Sequence, residues 1–420
     1  MPPLFSGRRP FYGWAIVGVG GLAAFSSGPG QSYIFSVFLD SLIEDTSLSR
    51  TAISTLYAVG TGVSAAMVFL VSRLADRYGA RSTLIGAALG LGVACLAMSQ
   101  ARGALMVFLA FSALRALGQG SLTINGTLLA AQWFVRRRGR AMAIMGLGFP
   151  LSMAILPPVA RLLIDTIGWR EAYAVLGVMV WILVLPGALL LVRERPEDMG
   201  LHPDGDAVAP VEETVAPGLE DERARRRVLS SPRFWLLAVP LATPALVVTG
   251  LIFHQTAILE EQGMPATVAA AIFVPYALVS ATVSLLSGFA ADRVGPKPIF
   301  VVSMGGLLAA MATGLVMDSV ATAIVYAMLI GVASGTSQIV GAVTWAHFYG
   351  REGLGRVQGP AVMVSITASA LGPLPLAWLN ARFDGFGAGI AVMALLPVLA
   401  IVAVVLARPP GEVRAGAPVA

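Results

Sequence analysis

The sequence predicts an all-α integral membrane protein with twelve transmembrane helices in two pseudo-symmetric six-helix bundles. Three observations carry that expectation. The 420 residues are 57% hydrophobic and 12% charged, and their mean hydropathy is +0.80. A soluble globular domain carries about 25% charged residues, so there is too little charge here to coat a water-facing surface. The apolar residues fall in long blocks bounded by charges, and a helix of about 20 such residues crosses a hydrocarbon core of about 30 Å. Finally, two phrases recur. "SRLADRYGAR" (Ser72 to Arg81) returns within "SLLSGFAADRVGPK" (Ser284 to Lys297), with Asp76 and Asp292 216 residues apart. "WFVRRRGRAMAIMG" (Trp133 to Gly146) is echoed by "HFYGREGLGRVQG" (His347 to Gly359), with Phe134 and Phe348 214 residues apart. Two independent echoes at nearly one offset mark a duplicated six-helix unit.

The first half, residues 1–193, holds six blocks: α1 over 12–39, α2 over 50–75, α3 over 80–100, α4 over 104–133, α5 over 139–166 and α6 over 170–193. Within α1 the stretch "SSGPG" (Ser26 to Gly30) predicts a break, because Pro29 removes a backbone donor and its flanking glycines loosen the helix. Residues 194–232 are polar, hold Pro196, Pro203, Pro210 and Pro217, and run into "EDERARRRV". They form a linker, with one short surface helix expected near Leu219 to Leu229. The second half, residues 233–408, holds α7 over 233–260, α8 over 266–291, α9 over 297–317, α10 over 320–347, α11 over 355–382 and α12 over 386–407; a tail, 409–420, follows.

The arginines set an orientation. With both termini and the linker on one side, that side's loops hold 22 of the 28 Lys+Arg. The far side has five, Arg50, Arg102, Arg161, Arg170 and Arg382, and Arg115 lies inside a helix. Such an excess marks the cytoplasmic side. The expected location is therefore the cytoplasmic membrane, multi-pass, with both termini cytoplasmic. The net charge of +5 reads as topology and not as a nucleic-acid footprint. "SGRRPFYGWAIVGVGGLAAF" has the look of a twin-arginine leader, but no small-residue cleavage site follows and the apolar blocks continue.

Several chemistries find no support. Cys95 is the only cysteine, so no intramolecular disulfide forms. The glycine runs "GVGG", "GLG" and "GQG" sit within spans with no strand before them, and read as helix packing. There is no His-Glu-x-x-His, no Gly-x-Ser-x-Gly and no metal-spaced Cys/His set. No cofactor, no metal and no catalytic residue is expected.

The loop phrases give a resemblance. Twelve spans, a long central loop and Asp-Arg-x-Gly after α2 and α8 resemble the major facilitator superfamily, over nearly the whole chain. Its signature, Gly-x-x-x-Asp-Arg-x-Gly-x-(Arg/Lys), is complete in Gly288, Asp292, Arg293, Gly295 and Lys297; the first copy has Ser72, Asp76, Arg77, Gly79 and Arg81. Within it, "FYGWAIV", "WFVRRRGRAMAIMGLG" and "GLIFHQTAILEEQG" look like the monocarboxylate and oxalate/formate porter branch. The resemblance implies the major facilitator fold and a secondary transporter working by alternating access. It also implies an arginine in α8, eight residues before the loop aspartate, that pairs with substrate carboxylate. Here that position is Ser284.

Polar groups inside spans are the default site, because lipid burial is costly. None of the 23 carboxylates falls in mid-helix. Arg115 has two readings, an anion or coupling contact, or a structural arginine on backbone carbonyls. His254 is the leading proton-coupling site, since histidine titrates near neutrality; a satisfied interhelical bond is the alternative. In the resembled family α1, α4, α7 and α10 line the cavity, which adds Gln31, Tyr33, Gln119, Asn125, Gln255, Gln338 and Trp345 as substrate contacts, with Ser284 of α8 beside them. Asp76 and Asp292 end α2 and α8, where a carboxylate opposes the helix dipole and needs a partner. Arg77, Arg293, Arg137 and Arg351 are available, which suggests a gating latch. The expected partners are a small-molecule substrate, a co-transported proton and the lipid bilayer; no nucleic acid is expected, and the chain is expected to work as a monomer. The favoured substrate class is a small organic anion, moved by proton symport or exchange. The alternatives are a proton-coupled exporter of a neutral or amphiphilic solute or drug, a transporter-like sensor, and a membrane enzyme.

Overall fold

In a computed structural model, residues 11–206, 229–349 and 354–406 are described, and they contain helices and no strand. The surface helix expected near Leu219 lies almost wholly outside these residues. α1 comprises Gly13–Ser26 and Ser32–Thr46, joined by a 3-10 turn at Gly28–Gly30. α2 is Arg50–Tyr78 and α3 is Ala80–Ser99. α4 runs through Ala104–Leu114, a π-helical stretch Arg115–Leu122, and Thr123–Trp133. α5 comprises Arg138–Gly146 and Gly148–Ile167, and α6 is Trp169–Leu190. In the second half, α7 is Pro232–Phe253 and Gln255–Glu261, α8 is Ala266–Ala271 and Phe273–Val294, and α9 is Pro296–Val316. α10 is Val320–Tyr349, α11 is Leu354–Leu371 and Pro373–Phe383, and α12 is Phe386–Met393 and Leu395–Leu406.

Ten of these, among the described residues, are long and apolar enough to cross a membrane. The other two are α1, interrupted by its turn, and α2, whose 29 residues reach roughly 43 Å at about 1.5 Å per residue. All twelve expected helices are present. α1 runs seven residues further than its apolar block, to Thr46, because "DSLIEDT" continues the helix until Ser47 turns left-handed at φ 55°.

The recurring loop phrase has a mechanical basis. Gly79 and Gly295 end α2 and α8 at φ +81° and +75°, a region a side chain disfavours. Beyond Gly79, Glu194 accepts from the amides of Ala80 (2.6 Å) and Arg81 (3.0 Å), while Arg81 donates to the carbonyls of Ala188 (3.3 Å) and Leu189 (2.7 Å). A carboxylate thus sits on the N-terminus of α3 and a guanidinium on the C-terminus of α6, each favourable to the helix dipole.

The arginine run after α4 is held similarly. Arg138 donates to the carbonyls of Phe134 (3.1 Å) and Ala131 (2.9 Å), capping α4. Asp204, at the start of the linker, accepts from the amides of Val135 (2.9 Å), Arg136 (2.7 Å) and Arg137 (3.0 Å). Burial works against its charge, but those three donors prevail and hold its carboxyl below the usual carboxylate range. Trp133 Nε1 donates to the Arg193 carbonyl at 3.1 Å. The first turns of the linker are therefore docked under the first bundle.

Candidate functional site

The breaks in α1 and α4 lie against each other. A Cβ on Gly30 would come within 2.2 Å of the Leu114 carbonyl oxygen, and one on Gly118 within 2.9 Å of the Ser27 carbonyl oxygen. Only glycine lets the two backbones approach so closely. One residue past Leu114, the helix widens into its π-helical stretch, and Arg115 turns into the crossing. Its side chain is 2% exposed. Nε donates to Thr61 Oγ1 at 3.1 Å and Nη1 to the Gly30 carbonyl at 3.2 Å, and the guanidinium lies 5.0 Å from the Tyr57 ring centroid. All of these partners are neutral. Both sequence readings of Arg115 have a foothold here: it bonds a freed backbone carbonyl, and it is a cation with no carboxylate bonded to it among the described residues. A planar guanidinium has five N–H donors.

The Tyr57 ring at this cation belongs to a wider set of aromatic contacts. Tyr57 packs on Phe35, Phe111 and, from the second half, Phe253, with centroids 5.6, 6.2 and 4.6 Å away. Tyr33 donates to Ser152 Oγ at 2.9 Å, which in turn donates to the Phe25 carbonyl at 2.6 Å. Its ring meets Phe149 of α5 and Phe273 of α8. Gln31 Nε2 donates to Ser27 Oγ at 3.3 Å.

His254 sits at the break in α7 and is fully buried. Its Nε2 lies 2.9 Å from the Pro373 carbonyl oxygen, beside the break in α11. A carbonyl only accepts, so Nε2 carries the proton. Nδ1 has no partner among the described residues, and Phe253 and Phe386 flank the ring. Gln255 Nε2 donates to the Ala269 carbonyl at 2.7 Å. Sequence reasoning passed over Thr256, whose hydroxyl donates to the Ser36 carbonyl of the first half at 3.1 Å.

The remaining candidates do not converge on that cluster. Asn125 bonds back to Ser121 at 2.9 Å and leaves Oδ1 without a partner. Gln119 is half-buried and Gln338 exposed. Trp345 is buried against Phe234, with ring centroids 5.5 Å apart, towards the linker end of α10. Ser284 is half-buried where α8 meets α10. A Cβ on Gly335 would stand 3.0 Å from its amide nitrogen, and one on Gly331 2.8 Å from the Tyr276 carbonyl oxygen. Of the latch residues, Arg77 and Arg293 are exposed and the Arg137 amide is bonded to Asp204. The side chains of Asp76 and Asp292, and residue Arg351, lie outside the described residues.

Besides the Tyr57–Phe253 and Tyr33–Phe273 ring pairs, three described contacts join the halves on the side opposite the linker. Thr51 donates to the Ala377 carbonyl (3.3 Å), Thr256 to the Ser36 carbonyl, and Arg50 lies 5.8 Å from the Phe386 ring centroid. Arg50 is also ion-paired with Asp40. Tyr57, Thr61 and Thr256 were legible only as polar residues in apolar blocks. Arg50 stood out as one of five cations on the far side, without showing what it would meet.

Comparison with known proteins adds to this geometry. The model of the Major Facilitator Superfamily matches residues 20–283 and 245–419. The chain is 26% identical to the gentisate transporter of Corynebacterium glutamicum, over 93% of this chain and 87% of that one. It is 29% identical to monocarboxylate transporter 11 of Mus musculus, over 73% of this chain and 66% of that one. The riboflavin transporter RibJ of Trypanosoma brucei brucei is 29% identical, but the match spans only 34% of its length. Among solved structures, a bacterial homolog of the human lysosomal transporter Spinster, inward-facing and unoccupied, superposes with a TM-score of 0.72 at 17% identity, covering 96% of each chain.

Proposed function

The chain belongs to the Major Facilitator Superfamily, and we propose that it carries an organic anion across the cytoplasmic membrane by alternating access, with linker and termini cytoplasmic. One observation carries the substrate class: Arg115 is a buried cation whose bonded partners among the described residues are all neutral. A charge in the middle of a membrane span costs about 2.5–3.5 kcal/mol on insertion scales. A site that keeps it without a counter-ion is matched to a substrate that supplies one. The Tyr57 ring at the guanidinium, itself packed on Phe253, favours an anion with an apolar or aromatic body. Relatives named for gentisate and for monocarboxylates agree with that class. With that orientation, the contacts opposite the linker support reading this arrangement as closed to the outside.

Ser284 favours a second reading. Where the resembled branch implies an arginine, this chain has a hydroxyl, which suits a neutral or amphiphilic solute. The two readings separate in a binding experiment. Calorimetry compares aromatic and aliphatic carboxylates with their neutral amides, on wild type and Arg115→Gln. Hydrogen bonds to charged groups are worth about 1.5–3 kcal/mol. The carboxylate is expected to bind roughly ten- to hundredfold more tightly than its amide, a preference lost in Arg115→Gln. Equal binding of acid and amide by the wild type removes the anion reading.

A further inference from the structure

The helices α11 and α12 pack together at one end only. At the turn opposite the linker, Pro373–Phe383 of α11 packs on Phe386–Met393 of α12. Further along, Leu354–Leu371 packs on α7 and α2, while Leu395–Leu406 packs on α7 and α9. The two helices therefore part toward the linker side, and α7 floors the gap. Its closed end lies where α7 and α11 cross: a Cβ on Gly372 would stand 2.3 Å from the Leu246 carbonyl oxygen. From there a groove of about 480 Å³ runs to Trp235, floored by Val239 and Thr243 of α7, walled by Met363 and Thr367 of α11, and edged by Leu396 of α12. From Trp235 to Leu246 the helix rises roughly 16 Å at about 1.5 Å per residue, half of a hydrocarbon core of about 30 Å. The groove is thus as deep as one leaflet. It opens away from the interior: Trp345 and Phe348 of α10 pack on the other face of α7, with Phe234 and Leu237, and Ser369, on the other face of α11, meets Thr249 at 2.9 Å.

The polar side chains on its wall are spent on nearby backbone. Trp235 Nε1 donates to the Leu229 carbonyl at 2.8 Å, Thr243 to the Val239 carbonyl at 3.3 Å and Thr367 to the Met363 carbonyl at 2.9 Å. The groove offers a ligand no free donor and fits a flexible hydrocarbon chain, which restores the dispersion contacts that an unfilled wall forgoes. Its mouth has a different chemistry. Arg233 lies in the first turn of α7, and Arg356 lies one turn before the groove-lining Pro360 in α11. Guanidinium groups suit phosphate, and an indole such as that of Trp235 suits the membrane interface. We propose that the groove binds one anionic glycerophospholipid of the linker-side leaflet, with an acyl chain between α11 and α12 and its headgroup at the level of Arg233 and Arg356. The lipid braces α11 and α12 where they part. This site is separate from the Arg115 crossing and rests on neither the substrate class nor alternating access.

The test is native mass spectrometry of the full-length protein in mild detergent, with dioleoyl phosphatidylglycerol or dioleoyl phosphatidylcholine added at equal concentration. The wild type should hold one phosphatidylglycerol on the order of tenfold more tightly than phosphatidylcholine, as expected for arginines beside an anionic headgroup. Val239→Trp fills the floor and should lose that lipid. Val302→Trp, at an exposed position on α9, should keep it. Where Val239→Trp fails to fold, the double variant Arg233→Gln, Arg356→Gln leaves the groove open and should bind the two lipids equally. Bound phosphatidylglycerol should also raise the melting temperature of the wild type, but not of Val239→Trp. Equal retention of both lipids by the wild type overturns the proposal, as does a phosphatidylglycerol adduct that survives undiminished in Val239→Trp or in the double arginine variant. A dimer that Val239→Trp dissolves also overturns it, because a second copy of the chain would then occupy the groove.

Discussion

His254 shows how much a single side chain's function depends on what already occupies its donors. Its Nε2–H is spent on the Pro373 carbonyl and its ring is enclosed by Phe253 and Phe386. A charged imidazolium there has no carboxylate bonded to it among the described residues, and the effective penalty for an unpaired buried ion is several kcal/mol. His254→Gln keeps a donor for Pro373, and uptake in proteoliposomes should retain the wild-type pH profile. His254→Leu strands that carbonyl, which costs about 1–3 kcal/mol, and should lower the melting temperature. A flattened pH profile in His254→Gln would return proton coupling to this residue. Position 284 is judged by the same logic. Ser284 offers one neutral hydrogen bond where a guanidinium offers two charge-assisted ones. Ser284→Arg should therefore strengthen binding of small monocarboxylates such as lactate by about tenfold or more, measured by calorimetry. Tight wild-type binding of lactate would show that Arg115 already does that work. The sequence made His254 visible because titratable groups are rare in apolar blocks, and Ser284 because the resembled branch implies an arginine there. It did not show their partners, because Pro373 and Gly335 come from other helices, and only the packed crossing angles bring them near.

At the scale of elements, the helices are defined by where they fail to continue. The α1 and α4 breaks were legible unequally. "SSGPG" announces a break through proline and glycine chemistry, while "RALGQGSL" has nothing that separates a π-helical stretch from an ordinary helix rich in small residues. What fixes the second is the first, since Gly30 and Gly118 must meet backbone to backbone. Gly30→Ala places a Cβ 2.2 Å from the Leu114 carbonyl oxygen, and neither atom belongs to a flexible side chain. Overpacking typically costs about 1–3 kcal/mol, and the variant should melt several degrees lower in detergent. Gly288→Ala, with open space around its Cβ, should not. An equal loss from both would mean the crossing is looser than it stands here. The linker is a second element the sequence read only in part. Its prolines and charges marked a connector, but not that Asp204 caps three amides of the α4–α5 loop. Asp204→Ala should speed tryptic cleavage at Arg195. Because the folded carboxyl lies below its ordinary value, docking is complete above the ordinary carboxylate pKa and weakens as pH falls through the lowered one.

The whole molecule is two bundles, and three of their described mutual contacts, Thr51 to Ala377, Thr256 to Ser36 and Arg50 over Phe386, lie opposite the linker. The duplicated phrases mark the two bundles, and the arginine asymmetry sets their expected orientation. Neither carries information on which side the bundles meet, since that depends on contacts between halves and the same chain must satisfy both arrangements. Alternating access requires these contacts to break and reform in every cycle. The direct test is a reversible cross-link. In a Cys95→Ala background, Thr51→Cys and Ala377→Cys are joined by oxidation in proteoliposomes, and counterflow of a labelled aromatic carboxylate is followed. Counterflow should stop in proportion to cross-linking and return when a reductant opens the bond. Counterflow that continues at full rate with the two cysteines completely joined would contradict the account.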